Sequence, residues 1–199
     1  MNDRRARLGV LISGSGRTLM NLYERCERGE LDAEIVDVIA SKKCVGVDRA
    51  LATGLPVEII EGDIPGDVLA NRVERLNIDW LILAGYLRLI PIPAMLRRRV
   101  LNIHPALLPG DGTRGRFGGP GLYGSKVHKA VLAAGETESG CTVHFCDDEY
   151  DSGPVILRKR CPVLAGDTPE KLAARVFELE LEAYPEALQL LIDGARTNV

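Results

Sequence analysis

The sequence lacks long apolar runs and carries little net charge. Its longest apolar stretch, from Trp80 to Ala84, is as long as a strand, whereas a membrane-spanning helix needs about 20 apolar residues, so we expect no membrane segment. The N-terminus is polar, without an apolar region of signal-peptide length, which predicts a cytoplasmic location. The formal net charge is -3. Because nucleic-acid-binding domains usually show a basic excess, we expect no nucleic-acid partner.

Cysteine is also sparse. The five cysteines are scattered and odd in number, a pattern typical of reduced, mostly buried thiols rather than of a disulfide framework. Cys141, His144 and Cys146 lie close together, but strand alternation would put His144 and Cys146 on one face and Cys141 on the other. A tetrahedral zinc site would need two further ligands. We therefore expect no bound metal.

A chain of 199 residues is expected to form a single domain, here residues 1–199. Its first half alternates short β-branched runs with segments of helical length. The predicted strands are 7–13, 34–40, 55–60, 79–84 and 99–103, and the predicted helices are 18–28, 46–53, 66–77 and 92–98. This alternation favours an α/β fold with a doubly wound, mostly parallel sheet, in which ligands bind beyond the carboxyl ends of the strands.

The pattern changes after His104. Residues 105–123 are rich in glycine and proline and are predicted to form a long loop, which in a compact domain is usually functional or mobile. A helix is predicted over 125–134, followed by an antiparallel pair of strands over 141–147 and 154–161. A long final helix is predicted over 169–193, with Thr168 as its N-cap.

A glycine-rich segment, Ser13–Gly14–Ser15–Gly16–Arg17–Thr18, joins the first predicted strand to the first predicted helix. Glycines permit a tight turn that presents backbone N–H groups, and the helix N-terminus adds partial positive charge, so a phosphate is the expected ligand. Leu19 stands where a dinucleotide-binding fingerprint has its third glycine, which favours the single phosphate of a mononucleotide. An ordinary glycine-rich turn without a ligand is the alternative.

Asn102 and His104 lie at the carboxyl end of the fifth predicted strand, where a ligand is expected. The alternation of a strand projects both side chains to the same side. An imidazole exchanges protons near neutral pH and an amide N–H stabilises an oxyanion, so this pair suits chemistry at one carbonyl carbon. The alternative is a capping asparagine beside a structural histidine.

Four carboxylates crowd the turn between the last two predicted strands: Asp147, Asp148, Glu149 and Asp151. Most are expected to be solvated, since Asp and Gly–Pro are common turn formers. A carboxylate next to His104 would orient the ring and favour its charged form. The residues alone do not say which acid takes that position.

Together these motifs resemble the folate-dependent formyltransferases, and the glycine loop points to the branch that acts on glycinamide ribonucleotide. The resemblance covers residues 8–194 and rests on GSGRTL, LAGYLRLI, LNIHPALLP, TVHF, YDSGPVIL and AGDTPEKL. It implies a Rossmann-like enzyme that moves the formyl group of 10-formyltetrahydrofolate to the amine of glycinamide ribonucleotide in purine biosynthesis. It further implies no metal and a monomer or homodimer.

The resemblance also implies roles for individual residues. Asn102, His104 and Asp151 would form a catalytic trio, in which Asn102 and protonated His104 stabilise a tetrahedral oxyanion and Asp151 assists proton transfer. His144 matches a supporting histidine near the site. The residues implied to bind the ribonucleotide are Gly14, Ser15, Gly16, Arg17, Thr18 and Glu180. The residues implied to line the folate site are Arg88, Leu89, Asp147, Asp148, Glu149 and Tyr150.

The sequence departs from the family pattern after Leu108–Pro109. An insertion of about ten residues falls within 110–121, near the expected folate entrance, where it could act as a lid. Arg17–Thr18 replaces a Ser–Asn pair, and Arg17 could bind the phosphate directly. The stretch 61–69 lacks a basic residue that some members place there, so we assign it no ligand role.

Three alternatives stay open. One is a related formyltransferase that acts on methionyl-tRNA or an amino sugar, although a tRNA enzyme is expected to carry a basic C-terminal domain. Another is a 10-formyltetrahydrofolate hydrolase, although that group is expected to have an N-terminal regulatory domain. The third is a non-enzymatic phosphate- or folate-binding protein, which would not need Asn102, His104 and Asp151 together.

Overall fold

The computed structural model describes residues 4–197 of the chain, which form two compact units. The first unit contains the residues up to Leu101 and those from Pro185 onward, and the second contains Asn102–Tyr184. The fifth strand and the last helix each begin in one unit and end in the other. The single domain over 1–199 stays a prediction.

The first unit contains a parallel sheet whose strands alternate with helices. Its strands are β1 (Ala6–Ile12), β2 (Ala33–Ala40), β3 (Val57–Ile59) and β4 (Trp80–Leu83), and its helices are α1 (Arg17–Glu27), α2 (Val45–Ala52) and α3 (Gly66–Arg75). β1 pairs in parallel with both β2 and β4, and β2 pairs in parallel with β3, which gives the order β3-β2-β1-β4. The predicted doubly wound, mostly parallel sheet is confirmed.

The centre of this sheet is apolar on both faces. In β1 only Arg7 is partly exposed, and the nearly continuous apolar run ARLGVLI is typical of a strand covered on both sides. A buried ion pair ties α3 to β2, since Nε and Nη2 of Arg72 donate to the two oxygens of Asp37 at 2.5 and 2.6 Å. The bidentate geometry gives the buried Asp37 carboxylate the partner that burial requires.

The predicted short helix over 92–98 is wrong in length and type. The structure has a three-residue 3-10 turn, Ala94–Leu96, after which β5 runs over Val100–His104. Proline has no N–H and disfavours helical backbone in the residue before it, so Pro91 and Pro93 delay the start of any helix. Arg97 then leaves the helical region with a ψ of 130°, and Arg98 adopts a left-handed φ of 57°, so the turn does not continue.

The second unit contains the predicted antiparallel strands. β6 (Glu138–Phe145) and β7 (Val155–Pro162) pair from Glu138 opposite Pro162 to His144 opposite Val155. The register shifts between Val143 and His144. Such irregularities often lie beside functional sites, because they re-aim a side chain.

Two helices flank this strand pair. α4 (Ser125–Ala133) precedes β6, and α5 (Pro169–Thr197) follows β7 and continues four residues beyond the predicted end at Asp193. The predicted N-cap is confirmed, because the hydroxyl of Thr168 accepts a hydrogen bond from the N–H of Lys171 at 3.3 Å. Within residues 4–197, no helix combines the length and apolar character needed to cross a membrane.

Residues 105–123 form the predicted loop, with no helix or strand. Thr142 of β6 anchors its beginning, since its hydroxyl accepts from the N–H of Leu108 at 3.0 Å and donates to the carbonyl of Ala106 at 2.7 Å. Farther along, Arg114 forms an ion pair with Glu149 at 2.9 Å. The loop therefore has fixed contacts within the second unit at both its beginning and its middle.

Candidate active site

His104 lies at the carboxyl end of β5 and is only 4% exposed. Its Nδ1 lies 3.3 Å from Oδ1 of Asp151, and its Nε2 lies 2.7 Å from the backbone oxygen of Phe117. A carbonyl and an ionised carboxylate only accept hydrogen bonds. An imidazolium, with a proton on each nitrogen, therefore satisfies both contacts.

Asp151 receives hydrogen bonds at both carboxylate oxygens. The backbone N–H of Gly119 donates to Oδ2 at 2.8 Å, and Nδ2 of Asn102 donates to Oδ1 at 3.5 Å. The backbone of Asp151 has a left-handed φ of 57°, a conformation that Asp and Asn adopt more readily than most residues. The turn thereby aims the carboxylate of Asp151 at His104.

Electrostatics keep Asp151 ionised. Burial alone would raise the pKa of Asp151, because desolvation disfavours a charged carboxylate. The contacts with His104 and His144, the positive charge of His104 and the N–H of Gly119 outweigh burial, so the pKa of Asp151 lies well below its usual range. Near neutral pH this carboxylate is a permanent negative charge beside the imidazole.

His144 orients the amide of Asn102. Its Nδ1 lies 2.9 Å from the backbone oxygen of Phe145, which only accepts hydrogen bonds, so Nδ1 is a donor. Its Nε2 lies 3.7 Å from Oδ1 of Asp151. Nδ2 of Asn102 lies 3.2 Å from that Nε2. The amide N–H groups of Asn102 are thus directed to His144 and, over a longer distance, to Asp151. Asn102 and His104 share one side of β5, as strand alternation predicted.

The other acids of the turn have different partners. Asp147 accepts a hydrogen bond from the hydroxyl of Ser152 at 2.7 Å and another from the N–H of Glu149 at 3.1 Å. Asp148 and Glu149 are exposed. Asp151 is therefore the turn acid that lies beside His104, which the residues alone did not identify.

The sequence analysis missed Phe117 and Gly119, which act through backbone atoms. The signal available was the pair Gly118–Gly119. A Cβ at Gly118 would lie 2.3 Å from the carbonyl oxygen of Arg114, and Gly119 has a φ of 101°. Gly118 has no room for a Cβ, and Gly119 has a backbone conformation that other residues rarely adopt. The loop therefore approaches Asp151 and His104 through two residues without side chains.

The sequence analysis also missed His128. This residue lies on α4, is 3% exposed, and its Nδ1 has no hydrogen-bond partner among residues 4–197. Burial lowers the pKa of His128, and the positive charge of His104 lowers it further. A helical pattern alone would have marked it as an ordinary core position.

The depressed pKa of His128 predicts acid sensitivity. Because the folded-state pKa lies below the ordinary value of 6.5, the unfolded chain takes up a proton that the folded chain does not, so stability falls as the pH drops below 6.5. We expect His128→Gln to lose less Tm than the wild type between pH 7 and pH 5.5, by about 2–4 °C. Thermal unfolding at both pH values measures this difference. Equal losses in the two proteins would contradict it.

In the first unit, the glycine-rich segment forms the predicted turn between β1 and α1. Gly16 has a left-handed φ of 71° and immediately precedes the first residue of α1. The N–H groups of Ser15 and Gly16 have no hydrogen-bond partner within the described part of the chain. Unpaired N–H groups at a helix N-terminus are what an anion binds.

The remaining predicted ligand residues lie in both units. In the first unit, Arg88 forms an ion pair with Asp63 at 3.2 Å, and Leu89 is 43% exposed. In the second unit, Tyr150 and Glu180 are both half-buried. Ligand roles for these residues stay predictions.

The described residues hold no group of three or more His, Cys, Asp or Glu side chains placed to bind a metal. Burial raises the pKa of the Cys141 thiol to about 12, and burial likewise raises the pKa of Cys146.

Comparison with curated proteins gives a family and two similar relatives. The family model described as Formyl transferase matches residues 6–188. The chain is 40% identical over 196 residues to "Phosphoribosylglycinamide formyltransferase, chloroplastic" of Arabidopsis thaliana, covering 93% of this chain and 65% of that protein. It is 38% identical to the protein of the same name from Vigna unguiculata, covering 96% of this chain and 62% of that protein. The chain thus spans less than two thirds of the length of these relatives.

Solved structures agree in fold over most of the chain. Glycinamide ribonucleotide transformylase 1 from Symbiobacterium toebii is 35% identical with a TM-score of 0.83, covering 96% of this chain and 89% of that chain. Phosphoribosylglycinamide formyltransferase from Brucella melitensis is 36% identical with a TM-score of 0.80, covering 94% of this chain and 96% of that chain. The mostly parallel sheet, the antiparallel pair and the long last helix are therefore a known combination.

Proposed function

The chain belongs to the formyl transferase family, and on that basis we propose that it transfers the formyl group of 10-formyltetrahydrofolate to the amine of glycinamide ribonucleotide. The observation that carries the proposal is the contact of His104 with Asp151, with Asn102 donating to the same carboxylate. This cluster lies at the end of a strand in an α/β fold, where such folds bind ligands. The names of the similar relatives support the choice of substrates.

The cluster suits a tetrahedral intermediate. The amine nitrogen attacks the formyl carbon, a C–N bond forms, and the formyl oxygen takes the negative charge. Nε2–H of His104 and an amide N–H of Asn102 donate to that oxygen, each contributing about 3–4 kcal/mol in comparable sites. The bond from the carbon to the folate nitrogen then breaks. The proton lost by the amine passes to the leaving nitrogen with the help of His104 and Asp151.

Asp151 acts on this reaction through His104. The carboxylate holds Nδ1–H of His104 and stabilises the imidazolium, which keeps the Nε2–H donor directed at the substrate. Asn102 has to exchange one of its two contacts for the oxyanion. The 3.5 Å contact with Asp151 is the longer of the two, so it is the weaker one to give up.

The loop over 110–121 takes the role of a lid. Nε2 of His104 is bound to the carbonyl oxygen of Phe117, the type of atom that the formyl group presents. The two oxygens compete for one N–H, so Phe117 has to withdraw before the formyl oxygen reaches His104. The glycines that flank Phe117 allow that movement at little steric cost.

The other ligand assignments belong to the same proposal. Backbone N–H groups of the glycine loop bind the substrate phosphate, with Arg17 adding a guanidinium. The residues proposed for the ribonucleotide are Gly14, Ser15, Gly16, Arg17, Thr18 and Glu180. The residues proposed for the folate are Arg88, Leu89, Asp147, Asp148, Glu149 and Tyr150. A cytoplasmic location and a monomeric or homodimeric state stay predictions of the sequence.

The proposal has a direct test. Purified protein given glycinamide ribonucleotide and 10-formyltetrahydrofolate is expected to release one tetrahydrofolate for each formyl group transferred, measured by absorbance and by product mass. Omission of the ribonucleotide is the control. Release that does not depend on any amine would identify a hydrolase instead, and release only with another amine would assign a related formyltransferase.

A further inference from the structure

The glycine loop is held from one side by a second segment of the first unit. This bracing segment, Ser41–Arg49, begins just after β2 and includes the first five residues of α2. The hydroxyls of Ser41 and Ser13 lie 2.7 Å apart, and both residues are buried. The backbone N–H of Gly46 donates to the carbonyl of Gly14 at 3.0 Å. Nη1 of Arg49 donates to the carbonyl of Ser15 at 2.9 Å. Three successive loop residues, 13 to 15, are each bound by the bracing segment.

Contact between two glycines sets how closely the segments approach. A Cβ on Gly16 would lie 2.6 Å from Cα of Gly46, and a Cβ on Gly46 would lie 3.1 Å from Cα of Gly16. Any side chain at either position would push the two backbones apart. The loop is thus pressed onto α2 at the residue just before α1 begins.

These contacts decide where the loop's N–H groups point. In a trans peptide the carbonyl and the following N–H lie on opposite sides of the chain. Because the carbonyls of Gly14 and Ser15 are drawn toward the bracing segment, the N–H groups of Ser15 and Gly16 are turned away from it. Neither N–H has a partner among residues 4–197. The bracing segment therefore presents two unpaired donors in one direction.

We propose that Arg49 is a positioning residue for the substrate phosphate. Its guanidinium fixes the Ser15–Gly16 peptide from the carbonyl side, so that the Gly16 N–H is already aimed when the phosphate arrives. A cation on the carbonyl also polarises the peptide and strengthens its N–H as a donor. Arg49 lies on the side opposite to these donors, so it acts through the loop and takes no part in formyl chemistry. This inference rests on the proposed function, since it concerns the phosphate of the same substrate.

Kinetics of Arg49→Met, Arg49→Lys and a control, Arg75→Met, test the assignment. Arg75 is an exposed arginine in the last turn of α3, without a role in the site. We expect Arg49→Met to raise the KM for glycinamide ribonucleotide about tenfold, the loss expected for one charge-assisted hydrogen bond, with kcat and the folate KM within about twofold. Arg49→Lys keeps a charged donor, so its KM for glycinamide ribonucleotide should lie close to the wild-type value. Arg75→Met should match the wild type.

A substrate without the phosphate separates positioning from general damage. With glycinamide riboside, kcat/KM is expected to be equal in the wild type and Arg49→Met, because no phosphate is present to be positioned. An unchanged KM for the ribonucleotide, or an equal loss with both substrates, would overturn the assignment. Failure of the wild type to use glycinamide ribonucleotide would instead overturn the proposed function. In that case Arg49 is tested by the Tm gain that inorganic phosphate produces, which should be smaller in Arg49→Met than in the wild type. An equal gain would reject the positioning role.

Discussion

His104→Ala is expected to lower kcat at least about 100-fold, because alanine removes the Nε2–H donor and the group that carries the proton. The ring nitrogens of His104 contact Asp151 and the carbonyl of Phe117, and alanine loses both contacts. Steady-state release of tetrahydrofolate measures the loss. The KM values are expected to change far less than kcat, because the interaction with the oxyanion is made in the transition state.

The control for His104→Ala is a buried polar residue of the same unit that has no role in the site. Ser139 of β6 is 2% exposed, and its hydroxyl has no hydrogen-bond partner within residues 4–197. Ser139→Ala should keep the wild-type kcat. Circular dichroism and thermal unfolding check that both variants are folded. Turnover within threefold of the wild type in folded His104→Ala would remove His104 from the mechanism.

Asp151→Asn is expected to lower kcat by on the order of 10²- to 10³-fold. Asp151 accepts hydrogen bonds from His104 at one oxygen and from the N–H of Gly119 at the other. An asparagine has one acceptor oxygen, so it can satisfy only one of these donors and carries no charge to stabilise the imidazolium. Asn also tolerates the left-handed φ of 57°, so the substitution tests the carboxylate rather than the backbone.

The double variant and the pH dependence sharpen the test of Asp151. If Asp151 acts through His104, the double variant His104→Ala/Asp151→Asn should lose little more activity than His104→Ala alone. The lowered pKa of Asp151 means that its stabilising contribution is complete above the ordinary carboxyl value of 3.8 and is lost as the pH falls through the folded value. The Tm advantage of the wild type over Asp151→Asn should therefore not decrease as the pH is lowered from 8 to about 5. A difference that shrinks between pH 8 and pH 6 would contradict the assigned ionisation.

Side-chain periodicity carried the sequence analysis as far as Asn102 and His104. A strand alternates, so two polar residues with one apolar residue between them share a side, and the structure has both near Asp151. The alternation of strands and helices likewise predicted the parallel sheet, since βαβ units have few other solutions. These inferences depend on local rules that tertiary packing did not override.

The contacts that the sequence did not predict involve backbone atoms or long separations. The carbonyl of Phe117 and the N–H of Gly119 are present in every residue type, so no residue letter marks them. Asp151 lies 49 positions from Asn102, and its turn holds three other acids, so residue spacing did not select it and only the family resemblance pointed to it. The bracing of the glycine loop by Arg49 is likewise a contact between the first βα turn and helix α2, which neither segment reveals alone.

The hydrogen bond between Phe117 and His104 has a consequence for ligand design. A compound that binds Nε2 of His104 has to displace the carbonyl of Phe117. Its measured association constant is therefore its intrinsic association constant multiplied by the fraction of protein molecules in which Nε2 is vacant. Compounds that instead bind the loop in its displaced position would increase the fraction of protein molecules in which Nε2 of His104 is vacant. Potency in a series of inhibitors would then depend on how well each compound holds the loop away, as well as on the fit of its carbonyl mimic.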